Sequence, residues 1–195
     1  MSWLAVACVL AGCGPGASDA DLVELAVAIP DAVLDLRYAT ANNFTGAPLY
    51  DVARCKLRRA VLRRVVRAAD ALRADGRRLV VWDCYRPRHV QAVLWKRVPD
   101  ARYVADPAVG SRHSHGAAID CAVAAADGSA LVLPTAFDDF TDAAHRDHAL
   151  AGTRGAEARR LEAAMTAAGF VGLPTEWWHF DAPDADRYPL SDEAL

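Results

Sequence analysis

Apolar residues recur every three or four positions between residues 57 and 72, where Leu57, Val61, Val65, Ala68 and Leu72 fall on one face. That spacing predicts an amphipathic helix ending near Gly76. A second helix is predicted from Arg88 to Val98, starting behind Pro87, with Val90, Val93 and Leu94 inward. A third runs from Gly155 to Ala168, with Leu161, Ala164, Met165 and Ala168 inward and Gly169 as its cap. Between the helices, Leu79-Val80-Val81-Trp82 and Ala117 to Val123 are apolar runs of strand length, read as buried strands. Asp127-Gly128 marks a hairpin turn before a short strand at Leu131-Val132-Leu133. Residues 99 to 110 hold two prolines and read as a loop. Strands gathered together with helices outside them give an α+β chain.

The chain has 195 residues, enough for one sizeable core and short for two. A net charge of -3 leaves no electrostatic footprint for nucleic acid. Arg54, Lys56, Arg58, Arg59, Arg63, Arg64 and Arg67 crowd the first helix. They read as its solvated face, with binding to an anionic wall polymer or lipid as the alternative. Residues 1–20 differ in character from the rest. Trp3 to Leu10 is apolar but too short to span a bilayer, and Leu10-Ala11-Gly12-Cys13 resembles a bacterial lipobox with Cys13 as the lipidated residue. Gly14 to Asp21 follows as a small-residue tether. No Lys or Arg precedes the apolar run, so a free tail on a cytoplasmic protein stands against export to the cell envelope as a lipoprotein.

The candidate chemistry sits in two segments. Ser111-Arg112-His113-Ser114-His115-Gly116-Ala117-Ala118-Ile119-Asp120 is answered by Glu176-Trp177-Trp178-His179. His113, Asp120 and His179 supply two imidazoles and one carboxylate, and Glu176 is a spare acid. Three protein ligands, a fourth position for water and a nearby base are the inventory of a catalytic zinc site. Along a strand, Asp120 shares a face with Ala118 and Ala122, while Ile119, Cys121 and Val123 point the other way. Glu176 and His179 are three apart, opposite faces of a regular strand. Both reach one ion if Glu176 lies on the turn after Pro174 and His179 inside the strand. Taken singly, each of these residues also fits a satisfied core or edge position.

These two segments resemble the metal motifs of the D-alanyl-D-alanine dipeptidases, the VanX-like zinc DD-peptidases. Three further blocks resemble the same family in order: Asp35-Leu36-Arg37-Tyr38-Ala39-Thr40 with Asn43-Phe44-Thr45-Gly46, Trp82-Asp83-Cys84-Tyr85-Arg86-Pro87, and Phe137-Asp138-Asp139-Phe140. The likeness spans about Asp35 to Asp181. It implies a single catalytic domain over 21–195 with a central, mainly antiparallel sheet of the zinc DD-peptidase/Hedgehog-like type. It implies one Zn2+ held by His113, Asp120 and His179, with Glu176 as general base and Arg86 stabilising the oxyanion. Tyr38, Ser111 and Asp138 match positions that hold the dipeptide, Asp138 facing its free ammonium group. The implied reaction is hydrolysis of D-Ala-D-Ala to two D-alanines. A DD-carboxypeptidase acting on peptidoglycan stems, or a zinc-binding domain without activity, are the alternatives. His115, where relatives often carry arginine, and Cys121-Ala122-Val123 depart from the family pattern and bear on substrate preference.

Setting Cys8 and Cys13 aside leaves Cys55, Cys84 and Cys121. An oxidising compartment favours one disulfide, Cys55 with Cys84; three reduced cysteines packed as small apolar side chains is the other reading. Cys121 adjoins Asp120 but points to the opposite strand face, away from the proposed ion.

Overall fold

The structure, a computed structural model, describes residues 18–195. The lipobox and Cys13 lie outside the described residues. Residues 18–21, read as the end of a tether, are fastened to the body of the protein. The N–H groups of Arg59 and Ala60 donate to the carbonyls of Asp21 and Asp19, and the Arg58 guanidinium donates to that of Ala20.

Among the described residues, seven strands and five α-helices follow in the order β1 (Leu22–Glu24), α1 (Leu25–Ala28), β2 (Val33–Leu34), β3 (Lys56–Arg58), α2 (Arg59–Ala74), β4 (Arg77–Asp83), α3 (Arg88–Arg97), β5 (Ala118–Ala125), α4 (Arg146–Ala151), α5 (Ala156–Ala167), β6 (Val171–Gly172) and β7 (His179–Asp181). β1 and β3 form an antiparallel pair of their own. The main sheet has the order β2-β4-β5-β7-β6, parallel at β2–β4 and antiparallel elsewhere. The expected α+β fold with a mainly antiparallel sheet is what forms.

The core follows from the apolar spacing. Val61, Leu62, Val65, Ala68, Ala69 and Leu72 of α2 are buried, as are Ala158, Leu161, Ala164 and Met165 of α5. The two helices pack on each other, α2 against β4 and α5 against β5. Each fully buried Leu or Met side chain contributes about 1.5–3 kcal/mol relative to exposure. The α5 helix stops at Gly169, whose φ of 89° is left-handed and lets the Phe170 N–H reach back to the Met165 carbonyl.

Three expectations are corrected. Leu57 is not on the first helix: it lies in β3, paired with Val23, and the helix begins two residues later. Val93 on α3 is exposed, and Gln91 is buried in its place beside Val90 and Leu94. Leu131-Val132-Leu133 is not a strand. After the Asp127-Gly128 turn only an isolated bridge, Ala124 to Ala130, forms, and Leu131 and Leu133 pack onto the core from a loop. Cys55 and Cys84 are joined in a disulfide, and Cys121 is a buried free thiol.

Candidate metal and catalytic site

The antiparallel register places the two strand-borne candidates side by side. Asp120 of β5 is directly opposite His179 of β7, and on its other side pairs with Asp83 of β4. Directly opposed residues carry their Cβ atoms about 4.5–5.5 Å apart. His113 arrives from a one-turn 3₁₀ helix, His113–His115, closed by Gly116 at φ 71°. The left-handed φ favours glycine in this turn, and a Cβ there would also crowd the end of the Leu22 side chain at 2.6 Å.

The three side chains converge. His113 Nε2 lies 3.3 Å from Asp120 Oδ2 and 3.2 Å from His179 Nδ1, which lies 2.9 Å from Asp120 Oδ1. The other nitrogen of each ring is already committed. His113 Nδ1 donates to the Cys84 carbonyl at 2.6 Å, and His179 Nε2 donates to Asp181 Oδ1 at 2.9 Å. A carbonyl and a carboxylate can only accept, so each of these nitrogens carries a hydrogen, and the opposite nitrogen of each ring is the one left to ligate a cation. His113 Nε2 and His179 Nδ1 turn toward each other and toward the Asp120 carboxylate, all within 4.8 Å. Two imidazole nitrogens and a carboxylate so placed are a donor set that a divalent cation would satisfy, and this N₂O set with its outer acceptors fits zinc.

Glu176 reaches the same place because the chain turns there. The His179 N–H donates to the Glu176 carbonyl at 3.3 Å, a turn that brings residues three apart onto one side. Glu176 Oε2 ends 4.0 Å from His179 Nδ1. Burial, with the Asp120 charge adding to it, pushes the Glu176 carboxyl up to about 8. For Asp120 the balance is opposite. Burial raises its pKa, but His113 and His179 outweigh that and hold it well below the carboxylate range.

Arg86 is buried beside this cluster. Its Nε and Nη2 donate to Asp83 Oδ2 at 2.9 and 2.7 Å, its Nη1 donates to Gln91 Oε1 at 2.7 Å, and Nη2 lies 3.7 Å from Asp120. Tyr50 donates to the other Asp83 oxygen at 2.6 Å, and Gln91 donates on to the Ala105 carbonyl. Across the cavity, the Tyr38 hydroxyl donates to Asp138 at 3.1 Å. Asp138 has a left-handed φ of 57°, unusual for a residue with a Cβ. Burial of its carboxyl and the charges of Asp120 and Glu176 push its pKa well up. Ser111 accepts the His113 N–H at 3.2 Å.

His113, Asp120, His179, Glu176, Arg86, Tyr38, Ser111 and Asp138 all line one cavity of about 180 Å³, walled further by Phe44, Tyr103 and Phe140. The other four histidines lie elsewhere: His115 meets the Tyr188 carbonyl, His89 meets Asp192, His148 meets the Asp142 carbonyl, and His145 stacks on His148 with its buried Nε2 unbonded among the described residues. The groups that hold these side chains, Asp83, Gln91, Tyr50 and Asp181, were not singled out from sequence. Asp181 had a local signal, since it stands two residues beyond His179 on one strand face.

A sheet-borne His/Asp/His cluster, with a buried acid beside it and an arginine across from that acid, has the form of a metallopeptidase site. The chain belongs to the peptidase M15 family, D-ala-D-ala dipeptidase, whose model matches residues 18–193. It is 40% identical over 171 residues to the D-alanyl-D-alanine dipeptidase of Escherichia coli strain K12, covering 87% of this chain and 89% of that one. Over 181 residues it is 32% identical to the D-alanyl-D-alanine dipeptidase of Enterococcus faecium, covering 80% and 88%. The D-alanyl-D-alanine dipeptidase of Streptomyces coelicolor is 31% identical over 188 residues. The chain is a hydrolase of this metallopeptidase family.

Proposed function

We propose that the protein hydrolyses the dipeptide D-Ala-D-Ala to two D-alanines in a zinc-dependent reaction. The observation that carries the reading is the convergence of His113 Nε2, His179 Nδ1 and Asp120 beside Glu176 and Arg86, in a chain of the dipeptidase family. His113, Asp120 and His179 would hold the ion, which would lower the pKa of a water from ~15.7 to ~7 and polarise a carbonyl. Glu176 takes the proton of the attacking water and passes it to the leaving amine. Arg86 has five N–H groups, three of them committed to Asp83 and Gln91, and turns the remaining donors to the developing oxyanion.

Asp138 receives the substrate ammonium, and Tyr38 and Ser111 border the dipeptide. A carboxylate there favours a free amine over an acylated one, because an amide leaves the charge unpartnered. The Cys55–Cys84 disulfide supports a protein that works in an oxidising compartment, in line with export.

The test is hydrolysis of D-Ala-D-Ala beside N-acetyl-D-Ala-D-Ala and L-Ala-L-Ala by the zinc-loaded protein, with Glu176→Ala as control. Cleavage of the free DD-dipeptide alone, lost in the control and on chelation, is expected. Cleavage of the acylated compound would move the protein to the carboxypeptidases. Turnover that survives Glu176→Ala would overturn the assignment of the base.

A further inference from the structure

The Leu173–His179 segment carries both Glu176 and His179, yet only its final residue belongs to a strand. Trp177 and Thr175 tie it to Ala144, Thr135 and Arg102, and the Trp178 carbonyl accepts from Cys121, but one side chain from α4 gathers three of its carbonyls. Arg146 donates through Nε to the Leu173 carbonyl at 3.0 Å, and through Nη2 to the carbonyls of Glu176 and His179 at 2.9 and 2.8 Å. Its own backbone N–H donates to the Pro174 carbonyl at 2.8 Å. The remaining Nη1 pairs with Glu162, and the guanidinium lies over the Phe180 ring, 4.6 Å from its centroid.

A second observation points the same way. A Cβ on Gly172 would sit 2.2 Å from Arg146 Cζ, so the neighbouring strand leaves out a side chain where the guanidinium lies. Burying a guanidinium is costly, and Glu162 partners only one of its nitrogens. The other two nitrogens face main-chain oxygens, three of them within seven residues. A planar fork satisfies such a set; the flexible ammonium of lysine does not present its donors in that geometry.

We propose that Arg146 is a positioning residue for the reaction: by gathering the carbonyls of Leu173, Glu176 and His179, it sets the base and the third ligand in fixed relation to each other. The inference rests on the roles given above to Glu176 and His179. Arg146 does not itself line the cavity, so it acts through backbone alone.

The test compares Arg146→Lys, Gly172→Ala and Glu162→Gln with the wild type. Readouts are kcat and KM on D-Ala-D-Ala, zinc affinity by competition with a chromophoric chelator, and melting temperature. Outer partners of metal ligands are typically worth 10–100-fold, so R146K should lower kcat by about that factor, weaken zinc roughly tenfold and leave KM within about threefold. G172A keeps the arginine but displaces its guanidinium, and should reproduce both losses; it carries the test if R146K does not fold. E162Q removes the counter-ion and leaves the fork in place, so its kcat and zinc affinity should stay within about threefold of wild type even as its melting temperature falls. A wild type that cleaves the dipeptide while R146K and G172A match E162Q in kcat and zinc affinity overturns the inference alone. A wild type that does not cleave it overturns the roles of Glu176 and His179, and this inference with them.

Discussion

Replacing Arg86 by methionine separates what the buried ion pair does for the fold from what it does for the reaction. Asp83 is fully buried, and with the guanidinium gone its remaining side-chain hydrogen bond among the described residues is from the Tyr50 hydroxyl at 2.6 Å, with His113 Nδ1 3.8 Å away. Removing one member of a buried, hydrogen-bonded pair costs about 3–5 kcal/mol, because the other charge is left uncompensated. Independently, losing a fixed donor to an oxyanion lowers kcat by roughly 10²–10³-fold. The double variant Asp83→Asn, Arg86→Met removes both charges and leaves an amide that can still meet Tyr50. It should recover most of the lost stability while remaining as slow as the single variant. Urea denaturation gives the first quantity and release of free D-alanine the second. The reasoning fails if R86M keeps kcat within about threefold of wild type, or if the double variant is no more stable than R86M.

Two other expectations follow from the same cavity. Asp138→Asn keeps the shape that Tyr38 contacts but removes the charge; a hydrogen bond to a charged group is worth about 1.5–3 kcal/mol, so kcat/KM for the free dipeptide should fall roughly ten- to a hundredfold. The acylated dipeptide should be little affected, and an equal fall for both compounds would disprove an ammonium contact. In chelator-treated protein, burial lowers the pKa of His179, but Asp120 and Asp181 outweigh it and hold the imidazole well above its ordinary value; Glu176 is raised to about 8. A raised imidazole stabilises the fold below its unfolded pKa of ~6.5, and that contribution is lost as pH climbs through the folded value. The raised carboxyl acts in the same sense, losing stability from its unfolded pKa of ~4.3 upward until it ionises in the folded protein. The metal-free protein should thus melt lower at about pH 8.5 than at about pH 6, and Glu176→Gln should flatten the slope. A melting temperature that rises over that interval contradicts the sign.

The long elements were legible in the sequence because their apolar spacing is long enough to be unambiguous. α2 and α5 repeat the pattern over several turns, β4 holds the apolar run 79–82, and β5 is apolar except at Asp120. Short elements lacked that information. Leu57 continues the helical spacing by coincidence, but residues 56–58 are taken by pairing with 22–24, a contact across more than thirty residues. Leu131 and Leu133 are apolar because they cover the sheet near Val33 and Val80, not because they join it. The ligand-bearing side chains stood out as unusual residue types at telling positions. Their supports did not, since Asp83, Gln91 and Arg146 are ordinary residues until the fold gives each a buried partner.

Asp83, Asp120 and His179 form a row across three adjacent strands, while Tyr38, Asp138, Tyr103 and Phe140 reach the cavity from outside the sheet. The ladder that sets the row is a backbone property and does not depend on the connecting segments. Segments that run over a surface accept replacement far more readily than paired strands do. Bond cleavage and the choice of which molecule is cleaved are therefore built on separable parts of one chain. Grafting a different 137–141 segment would redirect the cavity toward another small substrate while leaving the row of Asp83, Asp120 and His179 where the sheet holds it.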